Sequence, residues 1–582
     1  MIPSARVRAR PSPGPRQARL LACAAALLGA CQAAGATDAI QLNQLGFLPG
    51  AQKLAAVPAA GGNRFAVKDA AGKTVLEGAL GAAASWAASG EPVRLADFSA
   101  LKTPGTYRIA VDGLPDSRPF PVGPEAYRAL NAAAIRAYTF NRAGIALDAR
   151  VAGAWARPAA HPDDKVLVHK AAASPARPAG TVISSPKGWY DAGDYNKYIV
   201  NSGISTWTLL AAYEHFPDWF DKLAVTVPES GNGLPDLVNE TLWNLDWMAT
   251  MQDPADGGVY HKLTNLRFDG MVMPQAATAP RYVVQKTTAA ALDFAATMAA
   301  ASRVLARFDR QAPGRSARWL AQAEAAWRWA LANPAVLYRQ PDDVQTGTYG
   351  DEKIDDEFAW AAAELLAATG KAEYRDPARG AGAARKAEPD WGDVRMLGWI
   401  SLAGQDRRLP EDAAAARRGL LAAADTLVGR WKASPYRLAM ANADFVWGSN
   451  AVALNQAMVL VQAHRLTQRR DYLDAAQSAL DYTLGRNPLG TSYVTGFGAV
   501  SPRHPHHRPS VADGVADPVP GWLVGGPNPG QQDAKDCKAS YRSKQPALSW
   551  LDDDCSYASN EVAINWNAPL VYVAAALQVL QR

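Results

Sequence analysis

The chain has 582 residues, 48% of them hydrophobic, which is enough for two domains with buried cores. Its formal net charge is +5, but the first 36 residues contain five arginines and no acid, so the rest of the chain is close to neutral. This distribution argues against nucleic acid or another polyanion as a partner.

The amino-terminal segment, residues 1–36, has the composition of an export signal peptide. An arginine-rich start leads into the apolar stretch Leu20–Ala30, which is too short to span a bilayer, and then into small residues. Two processing routes fit: cleavage before Thr37, or lipidation at Cys31 in a lipobox-like sequence. We therefore expect an exported protein, whether secreted, periplasmic or an outer-membrane lipoprotein. No other segment is apolar enough to cross a membrane.

Residues 38–122 have the pattern of a small β-sandwich. Segments such as GTYRIAVDG alternate hydrophobic and polar residues with a period of two, and a turn is predicted at Ala71-Gly72. Seven such runs in so short a stretch are typical of a sandwich.

Residues 124–582 change to Ala- and Leu-rich segments with helical periodicity. About a dozen helices are predicted, and many are hydrophobic on more than one face, as helices of an inner layer are. Six helical hairpins closed into a toroid would use this number. Because no Ser/Thr/Pro-rich linker separates the two regions, we expect the domains to pack directly on each other.

Asp191 and Asp194 lie three positions apart in KGWYDAGDYNKYIVNSG, just before a helix predicted to begin near Tyr195–Ile199. The free N–H groups at a helix start stabilise an ionised carboxylate. Two carboxylates held as anions can orient a water molecule and accept its proton. The alternative is that one of them only caps the helix, a common role for aspartate.

A second acidic segment, WLDDDCSYASNEVAINWNAPL, places Asp552 nine residues before Glu561. Asn567 and Pro569 predict the N-cap and the first turn of the last helix, which leaves Glu561 in a loop. Apolar neighbours and a nearby like charge both raise the pKa of a carboxyl group, which suits a general acid.

A third segment, SYVTGFGAVSPRHPHHRPS, concentrates His504, His506, His507 and Arg508 between Gly and Pro turns. The histidines suit either metal ligation or, as neutral rings, hydrogen bonds to sugar hydroxyls. The sequence pattern does not decide between these two roles.

Cys537 and Cys555 are the only cysteines beyond the signal peptide. In an exported chain, a disulfide between them is favoured over two free buried thiols. Neither cysteine has histidines at the spacing of a structural zinc site.

Together, the three segments resemble those of glycoside hydrolase family 9, the inverting β-glucanases with an (α/α)6 barrel. The His-containing segment departs from the family pattern at Val500, where Asn, Lys or Arg is usual. The resemblance implies a multidomain chain, with an immunoglobulin-like β-sandwich at 38–122 and an all-α (α/α)6-barrel catalytic domain at 124–582. In the last segment, the residues that match are Trp550, Asp552, Tyr557, Glu561, Ala563, Asn567 and Ala568.

The resemblance also implies a role for each carboxyl group. Asp194 would be the catalytic base, Asp191 would help to hold the attacking water, and Glu561 would be the general acid that protonates the leaving oxygen. In an inverting enzyme, the acid and base carboxyl groups stand ~6.5–9.5 Å apart, which leaves room for the water.

Further residues are expected to hold the substrate. By the same resemblance, His506 and Arg508 would bind the sugar at the cleavage point, and Asp552 would support the site. Flat rings near the three segments can stack on the apolar face of a pyranose. The aromatic residues expected at such positions are Trp189, Tyr190, Trp447 and Tyr557. For any single tryptophan among them the alternative is core packing, whereas the resemblance favours sugar contact for Trp447 and Tyr557.

The acidic segment YGDEKIDDEFAW precedes a predicted helix and has two interpretations. It is either an acidic first helical turn or, since some family members bind calcium here, a hard-cation site. Asp356 and Glu357 match the two side-chain ligands of that site. No cofactor is expected for the chemistry itself.

The favoured hypothesis is an exported, monomeric endo-β-1,4-glucanase (cellulase) that acts on β-glucan polysaccharides or oligosaccharides. One alternative is an exo-acting glycosidase of the same family, for example on glucosamine or cello-oligomers, in which loops close one end of the cleft. Another is a non-catalytic carbohydrate-binding protein. That reading requires the loss of an acid or a base, yet Asp191, Asp194 and Glu561 are all present.

Overall fold

The computed structural model of the chain describes residues 39–380 and 385–581. The predicted signal peptide, with Cys31 and the cleavage position before Thr37, lies outside the described residues, so export and lipidation remain predictions. Within the described ranges, no helix is both long and apolar enough to span a membrane.

The amino-terminal domain is a β-sandwich, as predicted. Its three-stranded sheet has the order β1-β5-β4, and its four-stranded sheet has the order β3-β2-β6-β7. In GTYRIAV, the side chains of Tyr107, Ile109 and Val111 are buried whereas Thr106 and Arg108 are exposed, which confirms the period of two. The strands are β1 (Leu54–Pro58), β2 (Arg64–Asp69), β3 (Thr74–Ala79), β4 (Ala84–Ser85), β5 (Pro92–Asp97), β6 (Gly105–Val111) and β7 (Phe120–Val122).

The second domain is mainly helical. Its described part has eleven longer helices, close to the predicted dozen, and four short ones of four or five residues. The helices are α1 (Arg128–Phe140), α2 (Ala149–Ala152), α3 (Ile199–His215), α4 (Pro217–Phe220), α5 (Asp236–Thr250), α6 (Thr288–Val304), α7 (Arg315–Ala332), α8 (Asp355–Thr369), α9 (Arg375–Arg379), α10 (Arg395–Ala403), α11 (Pro410–Ala433), α12 (Ser449–Thr467), α13 (Arg470–Thr483), α14 (Arg508–Ala512) and α15 (Ile564–Leu580).

The helices pack in two layers. Helices α3, α6, α8, α12 and α15 are buried on almost every face, which agrees with their apolar composition. Helix α3 packs against α5, α6 and α15, helix α6 against α7 and α8, and helix α8 against α10. Helix α12 packs against α11, α13 and α15. Less buried helices, such as α7 and α11, therefore cover the buried ones from outside.

The helical domain also contains a five-stranded sheet that the sequence did not predict. Its strand order is β10-β11-β12-β8-β9. These strands are two to five residues long, too short to show a periodicity of their own. Strand β10 begins three residues after Asp194, so the sheet anchors the segment that follows the DAGD turn. The strands are β8 (Val166–Val168), β9 (Val182–Ile183), β10 (Lys197–Tyr198), β11 (Tyr260–Thr264) and β12 (Tyr282–Lys286).

The two domains pack directly on each other, as expected from the missing linker. The ring of Trp86, in the sandwich, lies 4.5 Å from that of Tyr436 in the helical domain. The side-chain amide of Asn43 donates a hydrogen bond to the buried carboxylate of Asp481 at 2.9 Å.

The start of the last helix differs from the prediction. Helix α15 begins at Ile564, and Pro569 lies inside it. The Asn567 side chain does not cap this helix, because it accepts a hydrogen bond from the Leu523 N–H and donates one to the carbonyl of Ala134. Asn567 therefore ties the helix to neighbouring segments.

Candidate active site

Asp191, the first residue of the DAGD turn, is held in a fixed orientation by hydrogen bonds. The turn closes through a hydrogen bond from the Asp191 N–H to the carbonyl of Asn196 at 2.9 Å. The first N–H of α15, at Ile564, donates to the Asp191 carbonyl, also at 2.9 Å. The Asp191 carboxylate accepts hydrogen bonds from Asn201 Nδ2 at 2.7 Å and from the Tyr349 hydroxyl at 2.6 Å.

Asp194 has one oxygen bound and one oxygen free. Its Oδ2 accepts a hydrogen bond from Asn196 Nδ2 at 2.5 Å, whereas its buried Oδ1 has no partner among the described residues. A buried carboxylate oxygen without a protein partner can bind a water molecule. Neither aspartate caps α3, whose cap residue Tyr198 has no side-chain capping hydrogen bond.

The electrostatic surroundings distinguish the two aspartates. Burial, followed by repulsion from Asp194, raises the pKa of Asp191 to about 8, against the hydrogen bonds from Tyr349 and Asn201. Burial also raises the pKa of Asp194, but here the Arg508 guanidinium opposes the rise. Since a nearby cation favours the charged form, Asp194 is the better placed of the two to be an anion near neutral pH.

Glu561 lies in the loop that leads into α15. Its carbonyl accepts a hydrogen bond from the Gly525 N–H at 2.9 Å, and its Oε1 lies 3.4 Å from the Gly193 N–H. Desolvation in the cleft, followed by repulsion from Asp194, raises the pKa of Glu561 well above its ordinary value. A carboxyl group with a raised pKa keeps its proton and can donate it to a leaving group.

The His-containing segment packs directly on the DAGD turn. A Cβ atom at Gly193 would lie 2.2 Å from the carbonyl oxygen of His506, so only glycine permits this approach. Arg508 donates hydrogen bonds to the carbonyls of Gly193 at 2.8 Å and of Asp269 at 2.9 Å. These contacts hold its guanidinium near Asp194, while sugar binding by Arg508 remains a prediction.

Asp552 connects the segment of Glu561 to the His-containing segment. Its carboxylate accepts hydrogen bonds from the backbone N–H groups of Arg503 at 2.9 Å and of His504 at 3.0 Å. It also accepts one from Asn560 Nδ2 at 3.1 Å. These contacts fit the supporting role expected for Asp552.

His506 is oriented next to the predicted disulfide. The Cys537–Cys555 disulfide is present, with the Cα atoms 5.3 Å apart. The carbonyl of Asp554 lies 2.5 Å from Nδ1 of His506. Because a carbonyl can only accept, Nδ1 carries the proton and Nε2 is the acceptor of this ring. Burial lowers the pKa of His506 to about 4, so the ring is neutral near pH 7.

Asp191, Asp194 and Glu561 line one cleft of about 380 Å³. Trp447 is 42% exposed there, and its ring lies 5.4 Å from that of Tyr557. Carboxyl groups among flat aromatic rings are suited to a carbohydrate ligand. The other aromatic residues that line the cleft are Tyr198, Phe268, Tyr349, Trp391 and Trp566.

Trp189 and Tyr190 do not lie on the cleft wall. Trp189 is completely buried, and its indole N–H donates to Glu240 at 2.8 Å. Tyr190 is 1% exposed, with its hydroxyl 2.7 Å from Nδ1 of His161. A ring enclosed by protein cannot stack on a sugar, so the expected sugar contact is wrong for both residues.

Comparison with known proteins identifies the family. Residues 127–574 match the family described as Glycosyl hydrolase family 9, and residues 35–116 match the Cellulase N-terminal ig-like domain. The chain belongs to glycosyl hydrolase family 9. It is therefore a glycoside hydrolase with an immunoglobulin-like amino-terminal domain.

Named relatives of this family 9 enzyme match it over nearly its whole length. It is 45% identical over 561 residues to the xyloglucan-specific endo-beta-1,4-glucanase of Bacteroides ovatus, covering 93% of this chain and 94% of that protein. It is 33% identical over 544 residues to Endoglucanase D of Acetivibrio thermocellus, covering 92% of this chain and 83% of that protein. The solved structure described as Bacteroides ovatus GH9 superposes with a TM-score of 0.88 at 44% identity and covers 94% of this chain and 100% of its own.

Several cleft residues of this family 9 enzyme were not found from the sequence. Tyr349 was noticed only as the start of an acidic segment, yet it binds Asp191 and packs edge-on against Trp391 at 5.3 Å. Phe268 and Trp566 also line the cleft. The one signal for Tyr349 in the sequence was its position next to an acidic segment. Aromatic residues in such positions are too common to identify a cleft residue.

The two expected calcium ligands, Asp356 and Glu357, have different surroundings. Asp356 accepts hydrogen bonds from Arg385 at 2.6 Å and from the Val394 N–H at 2.8 Å. The carboxylate of Glu357 is buried without a hydrogen-bond partner, and its pKa is raised by burial and then by Asp293 on helix α6. Within residues 39–380 and 385–581, no group of three or more His, Cys, Asp or Glu side chains is placed to hold a metal ion. The residues therefore do not fit the expected calcium site.

The turn that contains Val500 is held by the amino-terminal domain. The Val500 N–H donates to the side-chain carbonyl of Gln44 at 3.0 Å, and Gln44 Nε2 donates to the Gly490 carbonyl at 2.8 Å. The side chain of Gln44, which belongs to the sandwich, therefore holds the backbone of this turn. In the family pattern described above, a polar residue is usual at the position of Val500.

Proposed function

We propose that this family 9 enzyme is an endo-β-1,4-glucanase that hydrolyses its substrate with inversion of configuration. The observation that supports this best is one cleft in which Asp194 offers a free, buried carboxylate oxygen and Glu561 has a raised pKa. An anionic base and a protonated acid in the same cleft form the pair that inverting hydrolysis requires.

The proposed reaction uses the three carboxyl groups in turn. Asp191 and Asp194 hold a water molecule, and Asp194 takes its proton as the oxygen attacks the anomeric carbon. Glu561 donates its proton to the glycosidic oxygen as the C–O bond breaks. Asp194 ends protonated and Glu561 ends ionised, and exchange with solvent restores both.

The arrangement of the helices that carry this site is part of the proposal. Helix α15 contacts both α3 and α12, and α3 continues through α6 and α8 to α10. Neighbouring buried helices therefore contact each other one after another, and less buried helices separate some of them along the sequence. This arrangement supports closure into an (α/α)6 barrel. The cleft would then lie at one end of the barrel, where the loops that contain Asp194 and Glu561 meet.

The proposed substrate is a soluble β-1,4-glucan, including branched forms. Phe268 and Trp447 line the cleft and remain 48% and 42% exposed, which supports a groove open to a polymer. The Bacteroides ovatus relative is named as a xyloglucan-specific enzyme, which makes xyloglucan the first branched polymer to test.

The proposal is tested by following hydrolysis of cellohexaose and of xyloglucan from the first minutes by proton NMR and chromatography. We expect internal cleavage into mixed shorter products whose new reducing ends are α-configured. The Asp194→Asn variant is the inactive control. Release of a single short product from one chain end would indicate exo action, and β-configured new ends would contradict inversion.

A further inference from the structure

Arg385 lies at the centre of an acidic cluster at the start of helix α8. Its guanidinium contacts the carboxylates of Asp356 at 2.6 Å and Asp393 at 3.4 Å, with Asp355 at 4.0 Å. It also donates a hydrogen bond to the carbonyl of Gly392 at 2.8 Å. Three carboxylates and one carbonyl oxygen therefore lie within 4.0 Å of the Arg385 guanidinium, and Asp355 also pairs with Arg395 at 2.9 Å.

The cluster requires a positive charge. The side chains of Asp356 and Asp393 are only 2% and 5% exposed, and buried carboxylates are costly without a partner. Carboxylate and carbonyl oxygens are also the ligands that calcium prefers.

We propose that the Arg385 guanidinium takes the place of a calcium ion in this cluster. A bidentate, permanently charged guanidinium can bridge two carboxylates, as a bound divalent cation does. Asp356 Oδ1 accepts a hydrogen bond from Arg385 and its Oδ2 accepts one from the Val394 N–H, so a metal ion bound at Oδ1 would compete with the guanidinium for this oxygen.

The replacement has a consequence for the cleft. Asp393 and Gly392 directly follow Trp391, and the start of α8 follows Tyr349 by a few residues. Trp391 and Tyr349 both line the cleft and contact each other. Arg385 therefore joins the two segments that supply this part of the cleft wall, which makes it a positioning residue.

The test compares thermal unfolding and kcat/KM in chelator and in millimolar calcium. The wild-type protein should have the same Tm and the same kcat/KM in both. Arg385→Ala in chelator should lose about 3–5 °C in Tm, because two buried carboxylates lose their partner. Its kcat/KM should fall by about tenfold, mainly through KM, since a displaced cleft wall weakens substrate positioning. Calcium should restore much of both losses in this variant.

Two further variants make the result interpretable. Arg385→Lys keeps the positive charge but cannot bridge two carboxylates with separate N–H groups, so its Tm should lie between those of the wild type and Arg385→Ala. If the alanine variant does not fold, the Tm and kcat/KM of Arg385→Lys are compared in chelator and in calcium instead. Arg379→Ala removes a guanidinium 3.0 Å from the buried Asp412 outside the cluster, so it should lose stability that calcium does not restore. A wild-type Tm that falls in chelator, or an Arg385→Ala protein that is indifferent to calcium, overturns the proposal.

Discussion

At the scale of single residues, the candidate site combines near and distant positions of the chain. Asp191 receives hydrogen bonds from Asn201, ten positions away, and from Tyr349, 158 positions away. Local spacing made Asp191, Asp194 and Glu561 candidates, and the family resemblance then gave each of them an expected role. The tyrosine was missed because a long-range hydrogen bond leaves no local pattern.

Replacing Tyr349 by phenylalanine should change the pH dependence of the reaction. The Tyr349 hydroxyl favours the ionised form of Asp191, whose pKa is about 8 even with this bond, so its loss raises that pKa further. A hydrogen bond to a charged group contributes about 1.5–3 kcal/mol, which corresponds to roughly one pH unit or more. The acidic limb of kcat/KM against pH should therefore move to higher pH by about one unit.

The matched control is Tyr374→Phe, which removes a hydroxyl 3.5 Å from Glu324, remote from the cleft. Its pH profile should coincide with that of the wild type. A Tyr349→Phe profile that is lower at every pH but not displaced would show that Tyr349 acts only through packing.

At the scale of segments, loops rather than helices align the site. The sandwich was predictable because several of its segments alternate with a period of two, and the helices were predictable as long Ala- and Leu-rich segments. The start of α15 was misplaced because Asn567 faces neighbouring segments instead of its own helix. Trp189 was misassigned because adjacency to Asp191 does not reveal which way a side chain points. The disulfide between Cys537 and Cys555 was correctly predicted, because the predicted export favours a disulfide over two free thiols.

Removing the disulfide should reduce activity before it unfolds the protein. A loop of this length contributes about 3 kcal/mol in the chain-entropy model. The bond also holds the segment whose Asp554 carbonyl orients His506, and a displacement of ~1 Å in such a group can cost ~100-fold in rate. The Cys537→Ser, Cys555→Ser double variant should therefore lose at least tenfold in kcat/KM at temperatures well below its Tm.

The comparison variant is Val428→Ala, which removes buried methyl groups from α11 away from the cleft. It should lower Tm while kcat/KM stays within about twofold of wild type. Full activity of the disulfide-free protein below its Tm would show that the bond contributes to stability alone.

At the scale of the whole molecule, the amino-terminal domain contacts a loop of the helical domain that leads to the candidate site. Gln44 of the sandwich holds the turn at Val500, and six residues further on lies His506. The sequence predicted both domains and their direct contact, but not this bridge, because Gln44 has no distinctive local context. The short sheet that contains β10 was also missed, although it supports the segment after Asp194.

The measurement that tests the assignment of acid and base most directly is the activity of Glu561→Gln on two substrates. On a β-1,4-glucan the leaving oxygen needs a proton, so kcat/KM should fall by about 10²–10⁴-fold. On β-cellobiosyl fluoride the leaving fluoride needs no proton, so the same variant should stay within about tenfold of wild type. Asp194→Asn should lose activity on both, since no base remains to activate water. An equal and mild loss of Glu561→Gln activity on the two substrates would contradict the account.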